Sequence, residues 1–305
     1  MKKTLRNIII IVIAVAAILN VSSMMTGFEV HAFGDLYASK SATIWDSTAY
    51  TKNASLTQTV KLPKAASTKT TYKNIKKKTA TTSARKAKAM VKKAKKAAPV
   101  WEKTSYQWTN GKFQRITTYK TTTVKASIKN KKAKVTKTQR RMIVTETYKH
   151  FKKEYRVSDL APLTDTRVAR AFEEKGWKLY VNTNMKGATD GLHFGDDEFL
   201  TGLTTATTRN GKSIKQIDVR VPEVAYHELG HFVAIETGRS DLTAEFKAIM
   251  KSEYNKNGNP VKPHAGLNAE EYFADAFAAY CESPSALKAK APRTCAYIAA
   301  QIKAL

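Results

Sequence analysis

The chain is predicted to fold as an α+β protein. A small sheet with an edge-strand hairpin should pack on a helix that carries two histidines. A mainly helical C-terminal part should follow, and a basic N-terminal region is expected to be disordered. Three observations predict this. Asn-Gly pairs at 110–111 and 210–211 sit between Thr-rich and apolar runs, which is the strongest short hairpin signal. After Pro222 the apolar spacing is helical, and few strands followed by a run of helices is the α+β pattern. Charge also divides the chain. Residues 51–150 carry 28 Lys and Arg against only Glu102 and Glu146, a balance of +26, whereas residues 151–305 carry 21 against 20 acidic residues. Asymmetry of this kind marks an interaction segment rather than a second enzyme.

At the N-terminus, Lys2, Lys3 and Arg6 precede an unbroken apolar run of twelve residues, Ile8 to Leu19. That is short for a bilayer span and suits the core of a secretory signal. Val30 and Ala32 offer small residues for a signal peptidase, so residues 1–32 are expected to leave and the mature chain to begin near Phe33. The expected location is secreted and extracellular; the alternative is an uncleaved membrane anchor through residues 8–21. Residues 33–99, typified by "KNIKKKTATTSARKAKAMVKKAKKAAP", hold too few large apolar side chains to offset ordering entropy, so disorder or a transient helix is expected. Residues 100–155 shift towards Thr and aromatic residues around Asn110-Gly111. They are read as a small basic β-rich segment or propeptide.

Residues 156–305 read as one compact unit. A helix should start near Thr164 or Asp165, bury Val168, Ala171 and Phe172, and stop at Gly176. "WKLYVNT" reads as a strand and "TGLTTATTRNGKSIKQIDVRV" as a hairpin. Pro222 suits a first helical position and Gly238 ends that helix. Further helices are expected at about 241–255 and 268–282, with a last pair broken by Pro284 and Pro292. Cys281 and Cys295 are the full thiol supply: too few for a cysteine metal site, and compatible with a disulfide in an exported protein.

Within the helix after Pro222, "VAYHELGHF" places His227 and His231 on one face, because four residues make slightly more than one turn. Two imidazoles so placed can reach one zinc ion. Glu228, one step round, can accept a proton from the water that such a metal activates. Gly230 inside the helix costs about 1 kcal/mol relative to Ala, which implies a close neighbour.

A catalytic zinc normally takes three protein ligands. Downstream candidates are His264 and the carboxylates of "NAEEYFADAF". Glu271 and Asp275 are four apart and share a face, which suits a ligand and a carboxylate that orients one histidine through its other ring nitrogen. Asn268 is also a good N-cap with Glu271 three residues on, so Glu271 could instead complete a capping box. Asp275, in an otherwise apolar stretch, is left unexplained by a cap and explained by a metal.

With these motifs the back half resembles the catalytic domain of the anthrax lethal factor family, which includes secreted Pro-Pro endopeptidases. "HELGH" matches the zinc helix, and "NAEEYFADAF" is similar to the family's Glu-Tyr/Phe-Phe-Ala-Glu-x-Phe helix with Glu271 at the ligand position. "KAPRTCAYIAAQI" resembles the closing helix, and the hairpin before Pro222 resembles the edge strand that binds extended peptide. The resemblance spans about residues 156–305. It implies one zinc ion per chain, metalloendopeptidase activity of toxin-like kind and a peptide substrate laid along roughly Gly202 to Thr208. Two departures stand out: Asp275 replaces the family's Glu, and His264 occupies the place of a Tyr that stabilises the oxyanion. An imidazole can donate the same hydrogen bond; realignment would pass that role to Tyr254 or another group.

The rival reading is an exported basic binding protein with an inactive zinc domain. Its +26 segment would hold an anionic cell-surface polymer or membrane surface. The export signal argues against nucleic acid. A solvated linker or propeptide is the remaining alternative.

Overall fold

The computed structural model describes residues 28–31, 41–46, 60–109, 112–185, 202–209, 211–256 and 268–305. They form an α+β fold with two five-stranded sheets. In chain order the strands are β1 (Phe28–His31), β2 (Ser41–Asp46), β3 (Ser67–Ser83), β4 (Val100–Thr109), β5 (Lys112–Lys129), β6 (Lys132–Tyr148), β7 (Lys152–Tyr155), β8 (Lys178–Asn182), β9 (Gly202–Arg209) and β10 (Lys212–Val219). The helices are α1 (Ala84–Lys96), α2 (Val157–Leu160), α3 (Thr166–Glu174), α4 (Ala225–Glu236), α5 (Ala244–Lys256), α6 (Ala269–Glu282), α7 (Pro284–Lys290) and α8 (Pro292–Ala304).

The first sheet has the order β1-β9-β10-β8-β7, with β8 and β10 parallel and the other neighbours antiparallel. Its inner face carries Leu179, Val181, Ile217 and Val219, all fully buried. Against it lies α4, which is buried along nearly its whole length. Phe172, Trp177 and Phe232 meet ring to ring with centroids 5.0 to 6.0 Å apart, joining α3, β8 and α4. Glu236, at the C-terminal end of α4, accepts from Trp177 Nε1 at 2.7 Å and pairs with Lys175 and Lys215. The helix is thereby pinned to the sheet at one end. At that end Gly238 and Arg239 take left-handed backbone angles, which close the helix as its glycine suggests.

The sequence elements of the back half fall close to expectation. Asp165 caps α3, the hairpin β9–β10 turns with Arg209 opposite Lys212, and Pro284 and Pro292 each start a helix. Both cysteines are free thiols. Among the described residues no helix is long and apolar enough to cross a membrane.

The front half differs from expectation. Within the Lys/Thr-rich stretch read as disordered or transiently helical, Ala84–Lys96 is helical, as α1, whereas Ser67–Ser83 instead forms β3, and the small β-rich segment becomes the core of a large antiparallel sheet in the order β2-β4-β5-β6-β3. The reason is pairing rather than burial. Thr is β-branched and favours extended backbone, and β3 pairs with β6 in register from Ser67↔Thr147 to Ser83↔Lys132, with one bulge. The β5–β6 turn uses Asn130 and Lys131 at positive φ, a two-residue hairpin with no glycine to announce it. The last strand of the expected β-rich segment, β7, belongs to the other sheet. Tyr106, Phe113 and Tyr148, at one end of the long sheet, pack with Val221 just ahead of α4, and the Tyr106 hydroxyl donates to Glu223 at 3.2 Å.

Candidate metal centre

Helices α4 and α6 meet at Gly230. A Cβ on Gly230 would lie 2.6 Å from the Ala274 Cα and 3.1 Å from the Phe277 Cβ, so only glycine lets the two backbones approach this closely. This is the close neighbour implied by a glycine in mid-helix. The approach brings Glu271 and Asp275, either side of Ala274, against His227 and His231.

The three candidate ligands converge and are buried. His227 Nε2 lies 3.1 Å from His231 Nε2 and 3.1 Å from Glu271 Oε2, while His231 Nε2 lies 3.7 Å from Glu271 Oε1. One donor atom from each residue falls within 4.8 Å of the others, and the group could hold a metal ion. Bonds of about 2.0–2.1 Å in a tetrahedron put neighbouring ligand atoms roughly 3.3 Å apart, so these separations suit one small divalent ion. Two nitrogens and a carboxylate are donors that zinc accepts.

Asn268 does cap α6, its Oδ1 accepting from the Glu271 N–H at 2.8 Å. The Glu271 side chain nonetheless reaches the imidazoles, so the cap and the metal reading of Glu271 are compatible. Asp275 Oδ1 lies 2.8 Å from His227 Nδ1, which leaves Nε2 facing the site. Arg239 binds both Asp241 and Glu270, tying the loop after α4 to the first turn of α6.

Glu228 is almost fully buried. Its Oε2 accepts from the Thr204 hydroxyl at 2.7 Å, while Oε1 has no hydrogen-bond partner. Burial pushes this carboxyl up to about 8, with His227 and the Thr204 hydrogen bond pulling the other way. For His227, burial works to lower the imidazole, but its contacts with Asp275 and Glu271 prevail and raise it to about 10. A Cβ on Gly202 would lie 2.2 Å from Glu228 Oε1, so the strand leaves a gap where that oxygen sits. In the sequence Gly202 marks only the start of the strand expected to bind peptide, and nothing in that Thr-rich strand distinguishes Thr204 as the threonine beside a buried glutamate.

His264 lies outside the described residues. Tyr254, the alternative for its role, packs its ring edge-on against Tyr272 with centroids 5.9 Å apart. The edge of β9 is taken by the chain itself. Residues Phe28 to His31 pair antiparallel with Thr207 to Thr204, so this edge accepts an added strand beside Glu228.

The α+β fold thus brings together a buried His-His-carboxylate group that could hold a metal ion, with a glutamate beside it. Residues 105–301, well over half of the chain, match the family model described as anthrax toxin lethal factor, N- and C-terminal domain, and the chain belongs to that family. The match begins at Ser105, so it takes in much of the long basic sheet and reaches further forward than the resemblance read from the motifs. No curated protein matches the chain in sequence.

Proposed function

We propose that the protein is a secreted zinc metalloendopeptidase that cuts an extended polypeptide. The observation that carries this reading is the buried triangle of His227, His231 and Glu271 with the Glu228 carboxylate beside it. One zinc ion held there would act as a Lewis acid, polarising the scissile carbonyl and acidifying the attacking water. The charge of a bound ion would draw the raised Glu228 carboxyl back to its ionised form, and Glu228, anchored through Oε2, would then accept the proton of that water on its partnerless Oε1 and pass it to the leaving amine. Asp275 holds His227 in one ring orientation. His264, seven residues before Glu271, is the proposed hydrogen-bond donor to the developing oxyanion.

The substrate strand takes the position that β1 occupies. It runs antiparallel to β9 from Thr207 towards Thr204, so its residues N-terminal to the cut lie along β9 before the chain reaches Glu228. Main-chain hydrogen bonds then supply affinity that is indifferent to side chains. Secretion rests on the basic and apolar leader at residues 2–19.

The test compares the full chain with Glu228→Ala. Elemental analysis should find one zinc per chain in both. Cleavage of an unfolded protein, followed by mass spectrometry, should fall by about 10²–10⁴-fold in the variant, the usual contribution of a general base. Wild-type protein that binds no zinc, or unchanged cleavage by Glu228→Ala, would sink the reading. Zinc in both with cleavage in neither would support the inactive binding protein instead.

A further inference from the structure

The long sheet carries charge that the fold itself leaves uncompensated. Residues 60–150 hold 27 Lys and Arg against Glu102 and Glu146 alone. Both carboxylates are already engaged, Glu146 by Arg115 at 2.6 Å and Glu102 by Arg141 at 2.8 Å. The pairing also sets like charges directly opposite one another. Lys73, Arg141 and Lys120 form one rung across β3, β6 and β5, Lys78 faces Lys137, and Lys129 faces Lys132. Directly opposed like charges destabilise a sheet. Strand register therefore concentrates cations at a cost to the fold.

The cations stand on both faces. The rung with Arg141, together with Lys78 and Lys137, lies on the side where α1 packs Ala87 against Ala133 and Val135. Lys77, Lys125, Lys132 and Lys134 lie on the other side, by the alternation of the pleat. On that second side a row of large side chains crosses four strands in register: Tyr72 opposite Met142, Met142 opposite Tyr119, and Tyr119 opposite Trp101. Tyr72 is 59% exposed, and Tyr119 and Trp101 are partly so. At about 4.8 Å between strands the row runs roughly 14 Å, with Arg140 the next residue on that face of β6 and Lys77, Lys125, Lys132 and Lys134 further along the strands.

We infer that this sheet binds a linear anionic polysaccharide. A planar bilayer can meet one face of a sheet, whereas a flexible polymer can follow cations around both. The apolar faces of sugar rings stack on exposed aromatic rings, and carboxylate groups along the polymer answer the lysines. The export leader places such a polymer outside the cell. This inference does not depend on the metal centre.

The experiment titrates the full chain with polygalacturonate and with its methyl-esterified form, which keeps the sugar backbone and removes the charge. A single-stranded oligonucleotide and phosphatidylglycerol vesicles are the other arms. Polygalacturonate should bind best, with log K falling linearly against log salt. In the triple variant Lys73→Gln, Lys78→Gln, Lys137→Gln that slope should shrink by roughly 2–3, as expected for about three lost ion contacts. Tyr72→Ala, at an exposed site, should weaken binding while leaving the slope unchanged. Loss of like-charge repulsion should leave the triple variant melting no lower than the parent, which separates lost binding from lost folding. Tighter binding to the oligonucleotide or the vesicles, equal binding to the esterified polymer, no binding at low salt, or a triple variant that binds as well as the parent would each overturn the inference.

Discussion

The contact between α4 and α6 and the sheet around β3, β5 and β6 handle charge in opposite ways. In the first, His227, Glu228, His231, Glu271 and Asp275 are buried within a few ångströms of one another, and each is held by a geometry that backbone packing dictates. In the second, lysines stand in solvent with their own kind across the strand. Buried charge is tolerated only where partners or a metal answer it. Exposed charge is cheap because water answers it, so a sequence can accumulate it freely. The metal centre should therefore fail on one small change in packing, whereas the sheet should respond gradually and in proportion to salt.

The largest effect that sharpens this contrast should come from Gly230→Ala. One methyl group placed 2.6 Å from the Ala274 backbone must push α6 away, and overpacking of this kind costs about 1–3 kcal/mol. Thermal melts should show that loss, and zinc titration should show weakened binding because Glu271 and Asp275 ride on the displaced helix. A variant that melts and binds zinc like the parent would show that the close approach does not govern the site.

Asp275→Asn should act more narrowly. It keeps shape and removes the charge that orients His227, so zinc affinity should drop by about 10–100-fold with little change in melting temperature. Competition with a metal chelator measures this directly. Affinity unchanged within error would reduce Asp275 to a core residue.

A further effect, read against pH rather than in a single melt, concerns the seam between the two regions. Burial raises the Glu223 carboxyl to about 8, against weaker opposing contributions that include the Tyr106 hydrogen bond. A carboxyl whose folded pKa is raised stays protonated in the folded chain over a range where the unfolded chain ionises. Its contribution is therefore full below the unfolded value near 4.5 and is lost as pH rises towards 8, with a slope that cannot exceed about 1.4 kcal/mol per pH unit. Glu223→Gln should flatten denaturant-derived stability across that window and leave it unchanged at pH 4. A parent whose stability rises through the window would contradict the burial of this carboxyl.

The same contrast explains what could be read from the sequence. HELGH declares its helix because two histidines four apart, a glycine and an apolar face are local facts, and the helix at 268–282 shows itself by Asn268 and its periodic apolar residues. Gly230 even signalled a close neighbour, although which residue approached was settled only by how α4 and α6 pack. The long sheet was hidden for the opposite reason. Nothing within Ser67–Ser83 reveals that Thr147 to Lys132 will lie beside it, because strand pairing is an agreement between distant segments. Lysines alternating with threonines read locally as a solvated chain. The placement of Thr204 against Glu228 is of the same non-local kind.

The short strand at Phe28–His31 sits inside the segment whose removal is expected after Ala32. While it stays attached, any foreign peptide heading along β9 must first displace it. On the proposed reading, a single cut after Ala32 would carry that strand away and leave the edge of β9 open to a substrate.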